Sequence, residues 1–259
     1  MLFLTLLFSL LAAIVLWMWQ LRSGRADWVD VLWAGLIGVL ALCYALTGEG
    51  STALRVLAVL VAGSWSLRLS WHLARRLAGH DEEDGRYQAM RKVFGHRQHA
   101  WLLVFFLGQG LVAWLFALPA WVLANHDGGQ AVWVIGLGLG FWLTGLVGES
   151  IADRQLAAFR SNPANLGKVC DVGLWRYSRH PNYFFEWLGW FAWPLLAAGA
   201  DWQWITWLAP LLMLLFLYRV TGIPYTEKQA VKSRGEAYRT YQRTTSAFIP
   251  WFRRPDSDS

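Results

Sequence analysis

The sequence predicts an all-α, polytopic membrane protein with about seven transmembrane helices, its amino terminus outside and its carboxyl terminus in the cytoplasm. Three observations predict it. Of 259 residues, 56% are hydrophobic and only 15% charged, whereas a soluble domain carries roughly a quarter charged residues. The charges sit in blocks separated by apolar stretches of about 20 residues, the length that crosses a ~30 Å hydrocarbon layer. Of the 23 Lys and Arg, 21 fall on one side of the resulting threading, the exceptions being Arg55 and Arg68. Basic loops stay cytoplasmic, so this bias sets the orientation.

The spans run over residues 2–20, 28–47, 53–74, 100–124, 131–152, 183–200 and 203–221. They form a single membrane-embedded domain over 1–252 that ends in a cytoplasmic amphipathic segment, 222–252, followed by a tail, 253–259. The first run lacks a basic start and is longer than a signal-peptide core, so it reads as a retained span held by Arg22 and Arg25. The links at 48–52, 125–130 and 201–202 are short. The long links, 153–182 and 222–252, lie on the cytoplasmic side and are patterned, as long segments with a function are.

Composition also excludes. The net charge of +6 comes from loops between spans and not from a basic domain, which removes nucleic acid as a partner. Cys43 and Cys170 build neither a disulfide framework nor a metal site. No phosphate loop, His-Glu-x-x-His or nucleophile elbow occurs. Gly136, Gly138 and Gly140 lie inside a span and read as helix packing.

Four places carry residues able to do chemistry. Glu149, Asp153 and Arg160 share one face of the helix leaving the fifth span, within about 40° at 100° per residue; a local ion pair to Arg154 or Arg160 is the plainer reading. In the segment from Gly173 to Trp187, Pro181 starts the sixth helix, Asn182 and Glu186 share its face, and Arg179 and His180 stand at its positive end with Arg176 and Lys168 near. Topology and interface anchoring explain the basic and aromatic residues singly, but not a carboxamide and a carboxylate one turn inside a helix. The amphipathic segment places Tyr238 and Tyr241 on a similar face, either as a surface anchor or as a cover for a bound nucleotide. Arg68 and His72 lie one turn apart within the third span, where ionisable groups usually face a cavity. The charge run Asp81-Glu-Glu-Asp-Gly-Arg-Tyr87 reads as solvated, and Asp30 sits at the cytoplasmic start of the second span.

Arg179-His-Pro-Asn-Tyr, with Gly-Leu-Trp before it and Gly235-Glu-Ala-Tyr-Arg-Thr-Tyr241 after, resembles the membrane steroid 5α-reductases and sterol reductases, most closely their bacterial relatives. The resemblance is strong over 149–252 and looser over 1–148. It implies a multi-pass protein of the bacterial inner membrane that uses NADPH to reduce an activated C=C bond, of the enone type, in a lipid or steroid-like small molecule. It implies cofactor contacts at Asp153, Arg160, Lys168, Tyr177, Asn182, Glu186 and Tyr241, to which the residue reading adds Arg179, His180 and Tyr238. Glu149 stands where the reductases have Asn. The family's carbonyl-gripping Glu and Tyr find no clear match; Tyr87, His72 and Asp30 are the candidates for that role. The isoprenylcysteine carboxyl methyltransferases, which bind S-adenosylmethionine, share Arg-His-Pro-x-Tyr and the terminal Gly-x-x-Tyr-x-x-Tyr. Asn182, Glu186 and the Asp153/Arg160 helix favour the reductases. A non-catalytic lipid-binding protein on the same fold is the third alternative.

Overall fold

The structure, a computed structural model, describes residues 1–80, 82–220 and 222–256. Asp81 of the acidic run, Thr221 at the end of the seventh predicted span and the last three residues of the tail lie outside the described residues. Among the described residues the chain is all-helical, with no strand. The helices are α1 (Leu2–Ser23), α2 (Val29–Thr47), α3 (Thr52–Ala78), α4 (Gly85–Phe94), α5 (Gln98–Ala124), α6 (Val132–Ser161), α7 (Pro181–Gly189), α8 (Ala192–Leu196), α9 (Gln203–Thr206), α10 (Leu208–Leu215), α11 (Ile223–Arg234) and α12 (Glu236–Thr244). Six helical runs are long and apolar enough to cross a membrane: α1, α2, α3, Gly85–Ala124, α6 and Gln203–Arg234. This is the pattern of a multi-pass membrane protein.

The stretch expected to form a sixth span, 183–200, is not one helix. α7 ends at Gly189 and the five-residue α8 starts at Ala192. Pro194 is the cause: it supplies no N–H, and its ring crowds the carbonyl four residues back, at Trp190. Pro210 acts alike on Thr206, where α9 stops before α10 begins.

The chain divides into two compact units. The first comprises Met1–Gly129 with Gly199–Thr206, the second Gln130–Ala198 with Trp207–Ser259. In the first unit, α1 turns a stripe of small residues, Thr5, Ser9 and Ala13, onto α5. Gly110 of α5 allows this approach: a Cβ there would meet the Ser9 carbonyl oxygen at 2.9 Å. Small residues let transmembrane backbones close, and buried hydroxyls fasten them; Thr5 Oγ1 lies 2.8 Å from the Tyr44 hydroxyl of α2. Arg55, outside the basic bias, caps α2 by donating to the Ala45 and Leu46 carbonyls at 2.5 and 3.2 Å.

In the second unit, α6 is one uninterrupted helix of 30 residues, as its polar face required. Gly138, Gly145 and Gly148 form its contact face toward α7 and α8. A Cβ at Gly145 would stand 2.6 Å from the Gly189 Cα, and one at Gly148 would overlap the Phe185 ring. Of the Gly-x-Gly-x-Gly run only Gly138 makes such a contact; Gly136 and Gly140 have open space, because a spacing of two cannot keep three residues on one helix face.

Candidate functional site

In the second unit the segment ahead of α7 is nailed to α6. Gln155 Oε1 accepts the Leu174 N–H at 2.9 Å, and Trp175 Nε1 donates to the Ala152 carbonyl at 2.9 Å. Gly173, at φ +59, makes the turn that permits this. Pro181 then opens α7 with Asn182 and Glu186 one turn apart. Asn182 Nδ2 donates to Asp153 Oδ1 of α6 at 3.2 Å. Asn182 Oδ1 is buried and accepts no hydrogen bond, an arrangement that ordinarily costs about 1–3 kcal/mol. Glu186 is 9% exposed, and its Oε1 accepts the indole N–H of Trp190 at 2.8 Å. Glu149, one turn before Asp153, is buried as well. The α6–α7 contact thus joins Asp153 and Asn182, with Glu149 and Glu186 buried one turn away on the same two helices. Arg160 and Lys168 are exposed.

Arg179 and His180 have another partner than the one expected. Arg179 Nε donates to Glu227 Oε1 at 2.6 Å, and its Nη1 to the Gln242 and Thr245 carbonyls at 2.9 and 2.5 Å. His180 Nε2 lies 3.3 Å from the same Glu227 oxygen, its ring stacked on Tyr183 at 5.2 Å. Gln242 donates to Glu227 Oε2 at 2.8 Å. At the start of α7 the Arg179 and His180 side chains thus face a carboxylate of the chain. Glu227 stands in α11, beyond the apolar stretch, among Lys228, Lys232 and Arg234. Burial alone would raise its pKa, but hydrogen bonds from His180 and Arg179, the Arg179 charge and the Gln242 amide outweigh burial and hold it at about 2. Sequence reasoning missed Glu227; its signal was a Glu just inside a Pro-started helix of otherwise basic charge.

Tyr238 and Tyr241 are buried and close on Ala230 of α11. The Tyr241 hydroxyl donates to the Trp175 carbonyl and to that of Ser178, so α12 is latched onto the loop before α7. Tyr241 thereby clasps α12 to that loop. Tyr177 is 43% exposed, and its carbonyl accepts the Trp251 N–H at 2.9 Å.

In the first unit, Asp30 and Tyr87 meet. Asp30 Oδ1 accepts the Tyr87 hydroxyl at 2.8 Å, and Oδ2 accepts Arg86 Nη2 at 2.8 Å. Tyr87 is 2% exposed, packed among Ala13, Val29, Leu102 and Phe106. His72 lies on the exposed side of α3 and makes none of these bonds. Arg68 withdraws its Nε and Nη2 from solvent. Of the charge run expected to be solvated, Glu83 and Asp84 fold back onto the α1–α2 turn, whereas Glu82 is exposed. Glu83 Oε1 accepts the Ala26 N–H at 2.7 Å, and Glu83 accepts Arg91 Nε at 2.8 Å. Arg91 continues to Gln20 Oε1 at 3.1 Å. The fully buried Asp27, unforeseen in the sequence, takes Arg25 in a two-point ion pair at 3.1 Å and the Asp84 N–H at 3.0 Å. Its signal was an Arg-x-Asp pair between two apolar runs. Among the described residues no group of three or more His, Cys, Asp or Glu is placed to hold a metal ion.

A family model described as "Protein of unknown function (DUF1295)" matches residues 16–245. An uncharacterised protein of Schizosaccharomyces pombe is 26% identical over 278 residues, which cover 95% of this chain and 78% of the yeast protein. No solved structure matches the chain.

Proposed function

We propose that this chain, which belongs to the DUF1295 family, is an NADPH-dependent reductase of an activated C=C bond in a lipid or steroid-like substrate, akin to the steroid 5α-reductases. The observation that carries the reading is Asn182. Asp153 fixes its amide N–H side, which leaves the buried Oδ1 aimed away from Asp153 and short of a donor. An unsatisfied buried acceptor is tolerated where a ligand completes it, and a nicotinamide carboxamide offers the N–H. Glu149 and Glu186 on the same contact supply further acceptors for amide and ribose donors, and the exposed Arg160 and Lys168 suit the phosphates. These residues fit a dinucleotide.

NADPH, when bound, supplies a hydride to the β-carbon of an enone. The chain's own part is to orient the nicotinamide through Asp153 and Asn182. A proton from solvent at the α-carbon completes the reduction.

In the membrane, the broken α7–α8 pair counts as a seventh crossing beside the six long apolar runs. An odd number places the termini on opposite sides, and the basic bias puts the amino terminus outside. The lipid enters from the bilayer and the cofactor from the cytoplasm, in the inner membrane of a bacterium. The test is titration of the purified chain with NADPH and with S-adenosylmethionine. NADPH should bind and S-adenosylmethionine should not. Tight S-adenosylmethionine binding without an NADPH response would reverse the assignment toward the methyltransferases, and binding of neither would favour a non-catalytic lipid-binding role.

A further inference from the structure

After α12 the chain runs back over the second unit as an irregular strap, residues 245–256. Two backbone bonds tie it to the loop that leads into α7: Arg179 N–H to the Ser246 carbonyl at 2.8 Å, and Trp251 N–H to the Tyr177 carbonyl at 2.9 Å. Phe248 points inward and is 5% exposed, set in an aromatic nest with Phe184 and Trp187 of α7 and with Tyr218, at 5.5–5.9 Å between ring centroids. The residues that follow point outward: Ile249, Trp251 and Phe252 are 56, 65 and 77% exposed.

Between strap and loop lies a cavity of about 530 Å³. Its polar wall carries Arg179, Arg243, Thr245 and Arg254, and its apolar wall Ile249, Trp251 and Phe252. The charges there are uneven. Arg179 is neutralised by Glu227, and Arg243 pairs with Asp256 at 3.1 Å and Glu236 at 2.9 Å. Arg253, outside the cavity, pairs with Asp171 at 3.0 Å. Arg254 has no ion pair and no side-chain hydrogen bond among the described residues. Thr245 is 3% exposed, and its hydroxyl has no partner.

The cavity also sits at a definite level. Arg179 is two residues before Pro181, where the chain passes from a charged loop into the aromatic α7. Arg and exposed aromatic side chains at such a passage occupy the headgroup layer. We propose that this cavity binds one anionic phospholipid of the cytoplasmic leaflet. Its phosphodiester, a single negative charge, sits at Arg254, and its glycerol backbone and first methylenes lie against Ile249, Trp251 and Phe252. A free phosphate would use the cation but gain nothing from the three exposed apolar side chains, and a zwitterionic lipid would bring a cation of its own to Arg254.

The proposal does not depend on the reductase reading. It is tested by thermal unfolding of the full chain in neutral detergent, titrated with dioleoyl phosphatidylglycerol, dioleoyl phosphatidylcholine or sodium phosphate. Phosphatidylglycerol should raise Tm in a saturable way, as a ligand of the native state does. Arg254→Ala should weaken the apparent affinity about tenfold, the scale of one charge-assisted contact. Phe252→Ser should weaken it too. Arg97→Ala, which removes the same charge from an exposed site in the first unit, should leave it unchanged. Equal shifts with phosphatidylcholine, a full shift with phosphate alone, or equal losses in Arg254→Ala and Arg97→Ala would each overturn it.

Discussion

Asn182 gives its amide hydrogen to Asp153 at 3.2 Å across the contact of α7 with α6, and holds its carbonyl oxygen buried without a donor. One side of the carboxamide is therefore held by the fold, and the other is the acceptor that the proposed nicotinamide would complete. Asn182→Ala removes both. NADPH affinity should fall by about 1.5–3 kcal/mol, the value of a hydrogen bond in a charged network, or roughly ten- to a hundredfold in Kd. Calorimetry on the purified variant measures this. An unchanged Kd beside a lowered Tm would make Asn182 a packing residue only.

Glu227 joins α11 to the loop before α7, and its depressed pKa makes the joint sensitive to acid. The ordinary value is 4.5 and the folded value about 2. The folded state thus binds the proton more weakly than the unfolded chain. The contribution is complete above about pH 4.5 and is lost as pH falls from there through about 2. Its size is about 1–3 kcal/mol after allowance for solvent screening of a partly open pair. Glu227→Gln should be less stable at pH 7 by that amount, and its unfolding curve should be flatter than that of the wild type over the acid range. A parallel pair of pH profiles would show that Arg179 and His180 do not depend on this carboxylate.

The α6–α7 contact leaves no room for a side chain at Gly148. Gly148→Ala drives a methyl group into the Phe185 ring, and overpacking of this kind costs about 1–3 kcal/mol. Because the same contact carries Asp153 and Asn182, NADPH affinity should fall with stability. The double variant Gly148→Ala/Phe185→Ala should recover part of both. Strict additivity of the two losses in a double-mutant cycle would show that the residues do not share the strain.

Topology is tested directly. A reporter active only in the cytoplasm should work when fused after Ser259, and one active only outside should work when fused before Met1. The reverse pattern would remove the basis for cytoplasmic delivery of the cofactor.

The sequence made the helical class legible, along with the uninterrupted α6 and the shared faces of Asp153, Asn182 and Glu186, because each rests on local period and length. The break inside 183–200 was visible only as Pro194, a single residue that an apolar average hides. What could not be read was pairing at a distance. Arg179 and His180 carried every local sign of an anion site, but their carboxylate lies 47–48 residues downstream. The acidic run looked solvated because its partners, Ala26 and Asp27, lie 57 residues upstream in the chain.

That separation orders the birth of the molecule. The α1–α2 turn is made first, whereas Glu83, Asp84 and Arg91 leave the ribosome 57 to 71 residues later. At about 5–20 residues per second the delay is roughly 3 to 14 seconds. During that interval the Ala26 N–H and the Gln20 side-chain carbonyl oxygen have water in place of their later partners, while Asp27 is already held by Arg25. The turn of the first hairpin is therefore completed only after the third helix and the loop behind it have been made, when that loop takes the place of the water.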